Sequence, residues 1–165
     1  MLGAALACAH AQAPADGSWR MPAGDHAATR YSPLAQITAA NAPSLVEAFS
    51  VPLGTDRGQE AAPLVVDGTM YLVMPYPNTV LALDLARRGA LKWKFEPQPD
   101  AGAQGVACCD VVNRGAAYDE GRLFFNTLDN QTIALDAKSG KELWRVQLGD
   151  IRRGETMTKI GRAHV

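Results

Sequence analysis

Thr79-Val80-Leu81-Ala82-Leu83-Asp84, followed by Gly89 and Trp93, returns roughly fifty residues later as Thr132-Ile133-Ala134-Leu135-Asp136, Gly140 and Trp144. In both copies Ala-Leu-Asp closes a short β-rich stretch, a glycine follows, and a tryptophan stands four residues after the glycine. The copies extend upstream: Asp67-Gly68 introduces Thr69-Met70-Tyr71-Leu72-Val73, and Glu120-Gly121 introduces Arg122-Leu123-Phe124-Phe125. Every apolar stretch is bounded by turn residues, among them Pro77-Asn78, Asp129-Asn130 and Lys138-Ser139-Gly140. Four short strands per period of about 40–50 residues is the pattern of a propeller blade. The glycine permits the tight turn between the third and fourth strands, and the indole is placed to cover the seam with the next blade. Two unrelated hairpins would not share this frame. The expected class is all-β, with about two blades present, too few to close a ring.

Outward from the repeat, the chain changes character. Phe49-Ser50-Val51-Pro52-Leu53 reads as an edge strand, and Trp19 to Pro43 as a loop with a short helix over the propeller face. The prolines of Tyr31-Ser32-Pro33 and Asn41-Ala42-Pro43 prevent any long helix there. Residues 1–13 are apolar and rich in small side chains, ending in Ala9-His10-Ala11 and Ala11-Gln12-Ala13, the small-x-small form of a signal-peptidase site. A basic n-region is missing, so a truncated signal peptide is expected, and with it export to an oxidising compartment. Cys8 would leave with that leader. At the other end Ile160-Gly161-Arg162-Ala163-His164-Val165 resembles the translation of a sequencing-adapter read-through. Residues 159–165 are therefore set aside from fold reasoning. The expected organisation is a leader at 1–13, a lead-in segment at 14–47 and an incomplete propeller at 48–158.

Composition adds limits. The formal net charge is -1, which gives no basic field for nucleic acid or anionic lipid. Forty-seven per cent hydrophobic residues with 15 Gly and 10 Pro describes a globular, turn-rich chain. No apolar run approaches the ~18 residues of a membrane span.

Between the two repeats lies Gly105-Val106-Ala107-Cys108-Cys109-Asp110-Val111-Val112-Asn113-Arg114-Gly115. Adjacent cysteines either stay as reduced, buried thiols or close an eight-membered disulfide ring. Removal of Cys8 leaves an even pair in a compartment where a disulfide survives.

These residues carry a resemblance. Trp19…Gly24-Asp25…Thr29-Arg30-Tyr31-Ser32-Pro33-Leu34, Arg57-Gly58-Gln59-Glu60-Ala61-Ala62-Pro63-Leu64-Val65-Val66 and Pro75-Tyr76-Pro77-Asn78 are similar to the quinoprotein alcohol dehydrogenases that use pyrroloquinoline quinone (PQQ), most of all the methanol and ethanol dehydrogenases. Cys108-Cys109-Asp110-Val111-Val112-Asn113-Arg114-Gly115 and the Gly140-Lys141-Glu142-Leu143-Trp144 blade motif continue the match, which runs from Trp19 to Thr158. The resemblance implies the N-terminal part of an eight-bladed, PQQ-binding propeller. It matches Cys108 and Cys109 to a vicinal disulfide lying flat on one face of the quinone, and Arg114 to the partner of a cofactor carboxylate. Glu60 matches a polar contact at the quinone rim, Thr158 a hydroxyl donor, and Val112 an apolar neighbour of the disulfide. A polarisable sulfur pair suits a planar ring, and a guanidinium fork suits a carboxylate.

The implied reaction is oxidation of a small primary alcohol at the quinone, aided by a calcium or lanthanide ion, with electrons leaving through a cytochrome c in the periplasm. The metal ligands and the general base of the family follow Thr158 in its order, so no catalytic or metal residue is assigned here, and the chain alone is expected to be inactive. Asp136 reads instead as part of the blade turn and Asp110 as part of the disulfide loop, and neither these two nor Asp150 has a matching metal partner nearby. The resemblance also implies a homo-oligomer or a complex with a small subunit. A non-catalytic periplasmic propeller scaffold would share the blades but has no use for Cys108-Cys109 with Glu60 and Arg114. A quinohaemoprotein alcohol dehydrogenase would add a haem site beyond this chain.

Overall fold

Asp67 and Gly68 both take positive φ, 47° and 69°, as do Glu120 and Gly121 at 42° and 79°. Two such residues in succession match the twist of the flanking strands and close a two-residue hairpin. Around these turns a computed structural model, which describes residues 16–25, 27–107 and 110–158, shows two four-stranded antiparallel sheets. The first contains β1 (Leu64–Val66), β2 (Thr69–Val73), β3 (Val80–Asp84) and β4 (Ala90–Phe95). The second contains β5 (Ala117–Asp119), β6 (Arg122–Asn126), β7 (Gln131–Asp136) and β8 (Glu142–Gln147). Strand order follows chain order in each, the up-and-down topology of a blade. The expected two blades are present.

The copies agree in register. Tyr71 lies opposite Ala82, and Ala82 opposite Trp93. In the second sheet Phe124 lies opposite Ala134, and Ala134 opposite Trp144. A shift in pairing falls directly after each of these alanines. The small alanine leaves room for a large ring on either side: the Tyr71 and Trp93 centroids are 5.9 Å apart, those of Phe124 and Trp144 6.0 Å. Such cross-strand neighbours on one face are what stabilise a sheet.

The core lies between the sheets. Leu64, Val66, Tyr71, Val73, Val80 and Ala82 of the first meet Leu123, Phe125, Ile133 and Leu135 of the second. The last four are fully buried, and burial of one such side chain contributes about 1.5–3 kcal/mol. Tyr71 and Trp93 cross the seam as well. The Tyr71 hydroxyl and the Trp93 Nε1–H both donate to the Ala137 carbonyl at 3.1 Å. Burial pushes the Tyr71 phenol above its usual pKa, which keeps it a neutral donor.

Gly140 has φ +72°, and a Cβ there would stand 2.6 Å from the Trp93 indole. The glycine thus serves the turn and also receives the preceding blade's tryptophan. Gly89, at φ +76°, is covered in the same way by Phe49, whose ring would lie 2.7 Å from a Cβ, and by Val51. This corrects the reading of Phe49–Leu53 as an edge strand. The stretch has no β-pairing, Pro52 has no N–H to offer a ladder, and its apolar residues pack on the turn before β4 instead.

Upstream, Trp19 pairs with Val65 through two backbone bonds of 2.6 and 2.9 Å, which ties the lead-in to the inner strand. The prolines limit helix here to one 3-10 turn at Ala42–Ser44. Residues 27–48 are all exposed, so that turn does not lie packed over a sheet as expected. No described helix is long and apolar enough to cross a membrane. The leader at 1–13, the Cys108-Cys109 pair and residues 159–165 lie outside the described residues.

Candidate functional site

The connection from β4 to β5 carries four of the residues singled out by sequence, Cys108, Cys109, Val112 and Arg114, and it is anchored at both ends. Near its start the Asp100 side chain accepts from Gly102 N at 2.8 Å and caps a 3-10 turn at Ala101–Gly105. Asp100 N in turn donates to Asp129 Oδ2 at 2.9 Å, on the loop between β6 and β7. Asp129 is itself buried and also accepts from the hydroxyl of Thr127 and from Gln131 Nε2.

From Asp110 onward the connection runs beside residues 57–62. Arg57 Nη2 donates to Asp110 Oδ1 at 2.6 Å. Tyr76 N donates to the Val111 carbonyl at 2.8 Å. A Cβ on Gly58 would stand 2.9 Å from the Val111 side chain and 3.4 Å from Val112 N, so only a residue without a side chain lets the two segments approach. Gln59 and Asn113 then form a parallel backbone bridge.

Here three of the predicted residues are linked. Arg114 Nε donates to Glu60 Oε2 at 3.3 Å, and Arg114 N donates to the Thr158 carbonyl at 2.8 Å. Glu60 and Thr158, far apart in the chain, are thus both joined to Arg114, the first at its guanidinium and the second at its backbone N–H. Val112 is buried two residues earlier. Cys108 and Cys109 fall outside the described residues, immediately before Asp110. The side chains of Arg114 and Glu60 are 44% and 51% exposed, so their pairing contributes at most about 1 kcal/mol. The guanidinium is engaged through Nε, and its other edge, with two Nη groups, has the fork geometry for a bidentate carboxylate.

Asn113 went unnoticed in the sequence. It is 2% exposed; its Nδ2 donates to the Asn126 carbonyl at 2.8 Å, and its Oδ1 accepts from Gly115 N at 2.9 Å. The string Asn-Arg-Gly was a legible turn signal, because an Asn side chain readily bonds the backbone two residues on. The Arg57–Asp110 pair had no such signal, since the partners lie fifty-three residues apart.

The three aspartates set aside as metal ligands are each engaged by a protein partner. Asp136 Oδ1 accepts from the Ser139 hydroxyl at 2.6 Å and Ser139 N at 2.7 Å. These bonds, the hydroxyl first, hold its carboxyl below the usual range. Asp150 caps a 3-10 turn at Ile151–Arg153, and Asp110 pairs with Arg57. Among the described residues no three His, Cys, Asp or Glu gather to hold a metal ion.

Comparison with known proteins agrees with this architecture. The family described as "PQQ: Glucose/ethanol/alcohol dehydrogenase, beta-propeller domain" matches residues 19–146. A lanthanide-dependent methanol dehydrogenase of Methylacidiphilum fumariolicum is 50% identical over 143 residues, 86% of this chain and 23% of that protein. A quinohemoprotein alcohol dehydrogenase of Pseudomonas putida is 45% identical over 143 residues, 86% of this chain and 20% of that one. The solved structure of a europium-containing methanol dehydrogenase superposes with a TM-score of 0.82 at 48% identity, covering 88% of this chain and 26% of that chain. The chain thus spans about a quarter of the length of the relatives it matches.

Proposed function

The chain belongs to the PQQ-type glucose/ethanol/alcohol dehydrogenase β-propeller family, and from that premise we propose that it is the N-terminal part of a quinoprotein that oxidises small primary alcohols of the methanol or ethanol type. The observation that carries this reading is the contact of Glu60 and Thr158 with Arg114, on the connection that also bears Cys108 and Cys109. A planar cofactor with several carboxylates fits that donor set. Bound there, PQQ would supply the two-electron acceptor for the alcohol.

The residues of this chain bind and orient. Arg114 would present its Nη edge to a cofactor carboxylate while Glu60 engages Nε, and the bond from Arg114 N to the Thr158 carbonyl restrains the backbone from which the fork springs before the ligand arrives. Preorganisation of this kind lowers the ordering cost of binding. Val112, which is buried, would back the cysteine pair as an apolar neighbour. Thr158, whose carbonyl is taken by Arg114 N, has its hydroxyl left for the ligand. Cys108 and Cys109, as a vicinal disulfide, would give the planar ring a polarisable floor. The calcium or lanthanide ion, the general base and electron transfer to a cytochrome c belong to the remainder of the protein, in the periplasm. A scaffold propeller would need the blades but not a charged fork beside a cysteine pair.

The test uses protein from the complete gene, purified without cofactor and titrated with PQQ. Arg114→Ala should weaken binding by about 1.5–3 kcal/mol, the worth of a charge-assisted hydrogen bond. Arg114→Lys should lose less, since it keeps the charge but not the fork. Equal cofactor occupancy in wild type and Arg114→Ala would remove the assigned role.

A further inference from the structure

We infer that Asn113 is a positioning residue for the anion-binding fork: a buried amide that fixes the direction in which Arg114 leaves the backbone. The inference rests on the proposed role of Arg114 and goes a layer beneath it. Arg114 is half-exposed and makes a single surface ion pair through its side chain, which is too weak to hold a long, flexible residue in one orientation. Its backbone, by contrast, is restrained on both sides.

On one side Asn113 is almost fully buried and bridges two segments, donating from Nδ2 to the Asn126 carbonyl at the end of β6. Its own backbone is paired with Gln59, the neighbour of Glu60. On the other side Oδ1 reaches over Arg114 to accept from Gly115 N, which bends the chain with Arg114 at the corner. Gly115 takes φ +100°, and a Cβ there would stand 3.3 Å from the Ala62 carbonyl, so the chain passes close against the Glu60 segment immediately after the corner. Arg114 N is spent on the Thr158 carbonyl. One amide therefore ties together the end of β6, the corner that carries Arg114 and the segment that carries Glu60. Both ends of the amide are hydrogen-bonded inside the protein, and at 2% exposure its side chain is shielded from a ligand.

Substitution of Asn113 should then act on cofactor binding through Arg114 and not independently of it. In full-length protein freed of cofactor, PQQ affinity is measured for wild type, Asn113→Ala, Arg114→Ala and the double variant. Asn113→Ser accompanies them, because a serine hydroxyl still reaches Gly115 N but not the Asn126 carbonyl. Asn113→Ala should weaken PQQ binding about tenfold and no more than Arg114→Ala does, because it acts only through that side chain. Asn113→Ser should fall between it and wild type. The double variant should bind within about twofold of Arg114→Ala, because residues acting as one unit are not additive.

Wild-type affinity in Asn113→Ala, or a double variant whose loss is the product of the two single losses, would overturn the inference. If Asn113→Ala does not fold, the same cycle with Asn113→Ser decides it by the same two criteria. An Arg114→Ala protein that binds PQQ like wild type would instead sink the reading of Arg114 itself. The two failures are therefore distinct.

Discussion

Tyr71, Ala82 and Trp93 of the first blade and Phe124, Ala134 and Trp144 of the second hold the same three register positions. Their surroundings differ. Tyr71 is buried at 7% exposure, and Trp93 lies on Gly140 with its Nε1–H on the Ala137 carbonyl. Trp144 is 44% exposed, and Leu143, Val146 and Leu148 beside it are exposed too. Two rows with nearly the same chemistry are buried to different extents because only the first has a following blade in this chain. The lesson is that a blade completes its pair of aromatic rings by itself, but its stability comes from the neighbour that supplies a left-handed glycine and a free carbonyl. In repeat architectures a unit cannot bury its apolar face alone.

The largest expected effects test that contact in protein from the complete gene. Trp93→Ala and Trp144→Ala should each cost about 3–5 kcal/mol, the range for emptying a buried aromatic site, and should agree with each other within about 1 kcal/mol. Denaturant unfolding measures this. A nearly neutral Trp144→Ala would mean that the second row is never covered as the first is, and the equivalence of the rows would fail.

A smaller effect separates packing from backbone strain. Gly140→Ala places a Cβ 2.6 Å from the indole at φ +72°, whereas Gly121→Ala, at φ +79°, meets nothing within 4 Å. The left-handed backbone should cost each variant about 1–2 kcal/mol. Gly140→Ala should lose roughly 1–3 kcal/mol more from overpacking. Equal losses would show that the tryptophan does not rest on that glycine in solution.

The smallest effect concerns the turns that present the glycines. In the second blade Asp136 accepts from both the hydroxyl and the backbone N–H of Ser139, while in the first Asp84 accepts from Ala86 N alone. The carboxyl of Asp136 is held below its unfolded value. Its contribution is therefore present above pH ~4 and is lost as pH falls through the lower folded value. Ser139→Ala removes the first of these bonds and narrows the gap, so the variant should lose less stability than wild type between neutral and acid pH. Melting temperatures at about pH 6 and pH 3 check the sign. A steeper acid loss in the variant would contradict it.

Most of the blade architecture was legible because its signals are local and repeated. Turn pairs, short apolar stretches and the glycine–tryptophan spacing all fall within one period. What escaped was non-local. Phe49 does for Gly89 what Trp93 does for Gly140, but it stands outside any repeat, and an apolar run around Pro52 looks like a strand. The meeting of Glu60 with Arg114 was legible only through family resemblance, since nothing near either residue announces a partner fifty-four positions away. Asn113 was within reach of turn chemistry, yet its second bond, to Asn126, depends on where β6 ends.

The most direct measurement of the central claim is a crystal structure of the full-length protein with PQQ. The connection between the first two blades should hold the quinone, with a cofactor carboxylate on the Nη edge of Arg114, Glu60 still at Nε, and a Cys108–Cys109 disulfide against the ring. A quinone bound elsewhere, or an Arg114 that contacts Glu60 alone while the cofactor is present, would contradict it.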